Sequence, residues 1–89
     1  MTANGKVRAV ARVEVTLKPG IADPQGQTVE RSLPAMGWEN VSNVRVGKHL
    51  VLEIEGESMD SIRAQVTEMC ERFLTNPVME TFEISVDPA

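Results

Sequence analysis

Residues 15–26, which read Val-Thr-Leu-Lys-Pro-Gly-Ile-Ala-Asp-Pro-Gln-Gly, restrict the possible folds of this chain more than any other stretch. The Pro-Gly pair in the middle is typical of a tight turn. Asp23 is a favoured residue for capping the first turn of a helix, and Pro24 follows it at the first helical position, where a backbone N–H is not needed. The stretch therefore predicts the end of one element, a turn, and the start of a helix at Pro24.

The element before this turn is predicted to be a β-strand. Odd-numbered positions from Val7 to Leu17 are apolar, and the even-numbered positions between them are polar except for Val10. Successive side chains of a strand point to opposite faces, so this pattern indicates a strand with one buried face and one face in solvent.

The element after the turn is predicted to be a helix that ends at Gly37. Val29, Leu33 and Met36 have the spacing of one helical face, and a glycine commonly follows the last residue of a helix. Pro34 lies inside this helix, where it removes one backbone hydrogen bond and crowds the preceding turn. We therefore expect the helix to kink or to end early.

Alternation returns in residues 41–54 and predicts two antiparallel strands joined near Gly47. Ser58 then precedes a run with helical spacing, and a last strand follows Asn76-Pro77. The apolar positions behind these predictions are Val41, Val44 and Val46, then Leu50, Leu52 and Ile54, then Ile62, Val66, Met69, Cys70 and Phe73, and finally Phe82, Ile84 and Val86.

The predicted order of elements is β-α-β-β-α-β. This order indicates an α+β fold of the ferredoxin-like kind, with both helices on one face of an antiparallel sheet. Residues 6–87 are predicted to form a single domain, and residues 1–5 a flexible N-terminus.

The composition limits the possible partners and compartment. Nine basic and thirteen acidic residues give a net charge of −4, which argues against binding to nucleic acid or to an anionic membrane. No apolar run approaches the roughly 18 residues of a membrane span, and the first residues lack the apolar core of a signal peptide. A single cysteine cannot form an internal disulfide. We therefore expect a cytoplasmic protein, and its small core favours association with a second copy.

Few residues are candidates for chemistry, and each has a more common structural explanation. Cys70 lies on the apolar face of the second predicted helix, as a buried structural thiol would. His49 is the single histidine and has no second ligand at a metal-binding spacing. Trp38 is either a binding anchor or a packing residue beside Gly37. The sequence therefore predicts no catalytic residue, no cofactor-binding residue and no metal ligand.

Basic residues are candidates for a docking strip that would take an acidic partner or a phosphorylated ligand. Arg8, Arg12 and Lys18 share one face of the first predicted strand, and Arg45 and Lys48 flank the predicted hairpin. A solvated polar face would have the same pattern, so both interpretations stay open at this point.

Four blocks of sequence carry a family resemblance. They are residues 15–26, residues 43–50 (Asn-Val-Arg-Val-Gly-Lys-His-Leu), residues 65–74 (Gln-Val-Thr-Glu-Met-Cys-Glu-Arg-Phe-Leu) and residues 76–80 (Asn-Pro-Val-Met-Glu). In their order and spacing they resemble the PurS family, the small subunit of phosphoribosylformylglycinamidine synthase. The resemblance covers residues 7–86, and Pro34 and the additional N-terminal residues depart from it.

The resemblance implies a role in the fourth step of purine biosynthesis. In that step formylglycinamide ribonucleotide, glutamine and ATP give formylglycinamidine ribonucleotide, glutamate, ADP and phosphate. The resemblance also implies that a glutaminase subunit releases ammonia, that a large synthetase subunit uses ATP and Mg²⁺, and that a homodimer or larger oligomer of the small subunit holds the two together. The small subunit itself would be non-catalytic and would bind no cofactor.

Two groups of residues within these blocks are the predicted subunit contacts. The first group lies at the start of the first helix, where capping alone would also explain Asp23 and Pro24. The second group lies at the predicted hairpin. The members are Asp23, Pro24, Gln25 and Gly26 in the first group, and Arg45, Gly47, Lys48 and His49 in the second.

Two other functions stay open. Domains with the predicted fold can bind small metabolites between protomers, so a ligand-sensing regulatory domain is the first alternative. The second is a small enzyme that uses Cys70 or His49 and shows glutaminase or hydrolase activity on its own. The sequence around Cys70 and the missing phosphate-binding loop disfavour both alternatives.

Overall fold

A computed structural model describes residues 6–89 as three strands and two helices. The strands are β1 (Val7–Leu17), β2 (Lys48–Gly56) and β3 (Glu80–Pro88), and the helices are α1 (Pro24–Ser32) and α2 (Met59–Met69). A short 3₁₀ turn (Pro34–Met36) follows α1, and a π-helical turn (Cys70–Leu74) extends α2. The predicted flexible segment, residues 1–5, lies outside the described residues.

β1 is the central strand of an antiparallel sheet with the strand order β2-β1-β3. Val13 of β1 stands opposite Leu50 of β2 and Ile84 of β3, so the apolar residues of the three strands share one face of the sheet. The apolar residues of β1 thus lie on one face of the sheet, as their alternation with polar residues predicted. The ferredoxin-like α+β arrangement is confirmed.

The hydrophobic core lies between this apolar face and α2. The outer strands are only partly buried, because one helix covers the middle of the sheet and leaves its two margins half-exposed. Cys70 belongs to the core, and its burial, followed by the negative charge of Glu71, raises the pKa of the thiol. The side chains that are at most 1% exposed are Ala9, Ala11, Val13 and Val15 on β1, Ile62 and Val66 on α2, and Cys70.

The other face of the sheet carries charged pairs. Arg8 lies 3.5 Å from Glu53 and 3.8 Å from Glu55. Arg12 lies 3.4 Å from Asp87. Two arginines of the predicted basic strip are therefore paired with carboxylates, so β1 does not present a continuous basic surface.

One predicted strand is absent from residues 6–89. The sequence pattern placed a strand at residues 41–46 and a hairpin at Gly47, but the structure shows no strand pairing there, and β2 begins at Lys48. Asn43 has a φ of 58°, which interrupts an extended backbone. The N–H groups of Val44 and Val46 donate to side chains near α1 instead of to another strand. The described sheet therefore has three strands where four were predicted.

α1 ends early, as Pro34 predicted. The helix stops at Ser32, and the backbone then makes the 3₁₀ turn, which Gly37 closes with a φ of 106°. α2 contacts all three strands, whereas α1 has no comparable packing on the sheet. Within the described residues, α2 thus covers the sheet without the second helix that the sequence pattern predicted beside it.

The π-helical turn changes which residues of α2 face the core. Thr75 donates both its backbone N–H and its hydroxyl group to the carbonyl oxygen of Cys70, at 3.1 Å and 2.8 Å. The wider turn shifts the register of the helix. Phe73, which the regular helical spacing predicted to be buried, is 85% exposed as a result.

Candidate subunit-contact site

The carboxylate of Asp23 connects the two groups of predicted contact residues. Its Oδ1 accepts a hydrogen bond from the backbone N–H of Gly26 at 2.8 Å, which caps α1. Its Oδ2 accepts another from the backbone N–H of Val46 at 2.9 Å. Asp23 is 4% exposed. One buried side chain therefore fixes the start of α1 to the segment that leads into β2.

Arg45 completes this connection with longer contacts. Its Nε lies 3.8 Å from Asp23 Oδ2. Its terminal nitrogens donate to the carbonyl oxygens of Leu17, Lys18 and Ile21 at 3.3–3.5 Å. Arg45 thus supports the turn between β1 and α1. We call Asp23, Gly26, Arg45 and Val46 the clasp.

Gly26 and Gly47, the two glycines among the predicted contact residues, lie where another backbone segment approaches too closely for a side chain. A Cβ atom at Gly26 would collide with the carbonyl oxygen of Val44, and one at Gly47 would collide with the carbonyl oxygen of Val15. Glu30 of α1 also accepts a hydrogen bond from the N–H of Val44 at 3.0 Å. These glycines let α1, the returning segment and β1 approach one another.

The hydrogen bonds of the clasp favour the ionised form of Asp23. The largest effect comes from the N–H of Gly26, followed by the N–H of Val46, and together they lower the pKa of the carboxyl group. Burial acts in the opposite direction, and the charge of Arg45 adds a smaller lowering effect.

The remaining predicted contact residues lie on different sides of the sheet. Pro24, Gln25, Gly47 and Lys48 line a groove of about 440 Å³ where α1 meets the end of the sheet. Lys48 has no ion-pair partner within residues 6–89. His49 points to the opposite face, where its Nδ1 is within hydrogen-bond distance of the Glu14 carboxylate. The structure therefore brings seven of the eight predicted residues together and separates His49 from them.

Residues 6–89 contain no group of three or more His, Cys, Asp or Glu residues arranged to hold a metal ion. Every buried side-chain nitrogen or oxygen atom in this range has a hydrogen-bond partner. No helix among these residues is long and apolar enough to cross a membrane.

The sequence model of the family described as "PurS: Phosphoribosylformylglycinamidine (FGAM) synthase" matches residues 10–88. The chain belongs to this family. The phosphoribosylformylglycinamidine synthase subunit PurS of Methanocaldococcus jannaschii is 38% identical over 77 residues, which are 86% of this chain and 93% of that protein. The subunit PurS of Bacillus subtilis is 40% identical over 76 residues, which are 85% and 89% of the two chains.

Solved structures of the PurS family share the fold. A chain in the structure of PurLQS from Thermotoga maritima aligns with a TM-score of 0.83 and 31% identity, over 90% of this chain and 98% of that chain. The family resemblance predicted from the four sequence blocks is thereby confirmed.

The partners of the Val44 and Val46 N–H groups were not predicted, because main-chain donors have no signature in the sequence.

We expect the stabilising effect of the Asp23 carboxylate to be lost in acid. A group whose pKa is lower in the folded state stabilises the fold above its unfolded pKa and loses that effect as the pH falls through the folded pKa. The urea midpoint of wild type should therefore exceed that of Asp23→Asn at neutral pH, and the difference should shrink once the pH falls below the ordinary value of 3.8. Asparagine can cap α1 but offers only one acceptor oxygen for the two N–H groups.

Urea unfolding of both proteins between neutral pH and strong acid measures this difference, and the other carboxylates cancel because the two proteins share them. A difference that stays constant through the acid range would show that ionised Asp23 does not stabilise the clasp.

Proposed function

We propose that this chain is the PurS subunit of phosphoribosylformylglycinamidine synthase and that it acts without catalysing the reaction itself. The observation that carries this proposal is sequence similarity over nearly the whole length of the two compared proteins. The alignment covers 86% of this chain and 93% of the Methanocaldococcus jannaschii subunit. Nearly the whole of that relative thus has a counterpart in this chain.

The reaction would be the conversion of formylglycinamide ribonucleotide to formylglycinamidine ribonucleotide in purine biosynthesis, with glutamine and ATP. We assign the release of ammonia to a glutaminase subunit, and the use of ATP and Mg²⁺ to a large synthetase subunit. This chain joins the two as a homodimer or larger oligomer in the cytoplasm. The similarity to a chain of Thermotoga maritima PurLQS supports a role in such an assembly.

The positions of the two candidate nucleophiles support a structural role over the small-enzyme alternative. Cys70 is fully buried in the core, and its raised pKa keeps the thiol protonated at neutral pH. The His49 side chain contacts Glu14 on the opposite face from the groove. Cys70 is therefore out of reach of a substrate, and the His49–Glu14 pair is exposed on the face away from the groove, whereas nucleophilic catalysis would need such a pair in a cleft.

The groove beside the clasp has the properties of a docking surface. Pro24, Gln25 and Lys48 are exposed at its rim, while Asp23 beneath them is buried. The clasp holds the backbone at both sides of the groove, so binding a partner there would need little ordering of this chain. We therefore propose that the groove contacts one of the two other subunits.

Leaving this chain out of the reconstituted synthase tests the non-catalytic role. We expect glutamine-dependent synthesis to be lost and much of the ammonia-dependent synthesis to remain, because free ammonia does not require a docked glutaminase. The measurement is the rate of formylglycinamidine ribonucleotide formation with each nitrogen source. Equal loss of both rates would contradict the proposal and would mean that this chain shapes the synthetase active site.

Charge reversal at the groove tests the docking surface. We expect Lys48→Glu to weaken assembly about tenfold at low salt, or about 1.4 kcal/mol, and less at higher ionic strength, because screening acts over about 8 Å at 0.15 M. The matched control is Lys6→Glu, which removes a lysine near the other end of β2, 3.8 Å from Glu57. Arg45 is left unchanged because it supports the turn.

Affinity measurements with the synthetase and with the glutaminase at two salt concentrations compare the variants. Equal effects of Lys48→Glu and Lys6→Glu, or no effect of either, would remove the groove from the interface.

A further inference from the structure

The two most exposed large apolar side chains among the described residues lie between α2 and β3. Phe73 is 85% exposed and Val78 is 77% exposed, and Met79 follows at 41%. We call these three residues the apolar patch. Exposed apolar side chains that lie close together usually mark a contact with another molecule.

The π-helical turn holds Phe73 in its exposed position. A regular helix would have placed Phe73 on the same face as Val66 and Cys70. Thr75 instead donates twice to the carbonyl oxygen of Cys70, and the chain leaves the helix with Phe73 in solvent. Turns of this kind inside helices are rare and occur frequently at functional sites. The exposure of Phe73 is therefore built into the backbone.

The connection from α2 to β3 is ordered around Asn76. The carbonyl oxygen of Asn76 accepts hydrogen bonds from the N–H groups of Met79 at 3.0 Å and Glu80 at 2.7 Å. Its side-chain oxygen accepts another from the N–H of Val78 at 3.1 Å. The N–H of Lys18, just after β1, donates to the carbonyl oxygen of Met79 at 2.8 Å. The backbone of the apolar patch is thus fixed before a partner binds, which lowers the cost of ordering it.

The apolar patch is continuous with the groove beside the clasp. Met79 belongs to both, since it lines the groove together with Lys48 and Pro24. Phe73 is six residues from Met79 in sequence, so their Cα atoms are at most about 22 Å apart. An interface of standard size covers about 800 Å² on each partner, which is about 30 Å across if it is circular. One partner surface of ordinary size can therefore cover the groove and the apolar patch together.

The groove and the apolar patch supply different parts of an interface. Interfaces commonly have an apolar centre, enriched in aromatic side chains and methionine, and a polar rim. The groove contributes the unpaired Lys48 but has no aromatic side chain in its lining. Phe73 would supply the aromatic group, and the neighbouring Glu68 and Arg72 pair with each other at 2.7 Å. A partner that fits both surfaces would present an acidic group to Lys48 and an apolar recess to Phe73.

We propose that the apolar patch and the groove form one interface, in which Phe73 is the apolar anchor. The partner is the subunit of the synthase that docks at the groove, and its apolar recess for Phe73 lies beside its acidic group for Lys48. The inference rests on the proposed function and adds the side chain that supplies the apolar part of the contact.

Truncation of Phe73 tests the anchor. We expect Phe73→Ala to weaken the binding of one of the two other subunits about thirtyfold, as the loss of a central interface residue does. Salt should leave this defect unchanged, because the contact is apolar. Lys48→Glu should weaken the binding of the same subunit, with a defect that shrinks at higher ionic strength. Calorimetric titration of each purified subunit with each variant, at two salt concentrations, measures these affinities.

Val51→Ala is the matched control. It also truncates an exposed apolar side chain, which is 57% exposed and stands opposite Arg12 on the charged face of the sheet. It should leave both affinities as in wild type. Because Phe73 is exposed within one chain, Phe73→Ala should keep the wild-type circular dichroism and urea midpoint. A loss of affinity in that variant would then report the contact and not the fold.

Three results would overturn the proposal. The first is a Phe73→Ala variant that binds both subunits as tightly as wild type. The second is a Phe73→Ala defect with a subunit whose binding Lys48→Glu leaves unchanged, which would place the two surfaces in different interfaces. The third is a smaller mass of Phe73→Ala alone in light scattering, which would assign the apolar patch to a contact between copies of this chain. Failure of the proposed function would differ from all three, since the wild-type chain would then bind neither subunit.

Discussion

The Asp23 carboxylate accepts hydrogen bonds from two parts of the chain, and the placement of α1 and of the segment that leads from it to β2 depends on both. One oxygen caps α1 through Gly26, and the other holds the N–H of Val46, which is 23 residues away in sequence. Without the second bond, the bond from the Val44 N–H to Glu30 and the longer contact of Arg45 with Asp23 would be left to hold α1 to the segment that leads into β2. The ionised carboxylate is stabilised by these N–H groups, which is why its pKa is lowered. A local capping residue thus also determines tertiary structure.

The hydrogen bond by which Asp23 caps α1 could be predicted from the sequence, and its hydrogen bond with Val46 could not. Asp23-Pro24 carries a clear capping pattern, so the start of α1 followed from sequence. The bond to Val46 comes from a main-chain group, and any residue except proline offers the same donor. The requirement for glycine at positions 26 and 47 is explained by approach to Val44 and Val15, which is visible only once the segments are placed.

The incorrect details have a common physical cause, since periodicity reports which side chains are apolar and not what lies beside them. The valines of residues 41–46 alternate as strand residues do, but their N–H groups bond to Glu30 and Asp23 rather than to a strand. Phe73 has the spacing of a buried helical residue, and the π-helical turn moves it outward. The alternation of apolar and polar residues along β1 predicted a strand correctly, because the segments on both sides of β1 are strands of the same sheet.

These features suit a subunit that organises others. The groove borders the clasp, so the surface that a partner would contact is positioned by one buried carboxylate. The core itself is small, with seven fully buried apolar side chains among the described residues. In such a chain, a large part of the apolar surface remains for association, as expected for small domains.

Amide hydrogen exchange of Gly26 and Val46, followed by NMR in wild type and in Asp23→Ala, tests the clasp most directly. Both amides should be protected in wild type, and both should exchange faster in the variant, while the amide of Val13 in the central strand keeps its protection. Ser58→Ala is the matched control, because Ser58 caps α2 through Ser61 alone and should change only that helix start. Unchanged protection of Val46 in Asp23→Ala would contradict the account, since it would show that other contacts hold α1 to the segment that leads into β2.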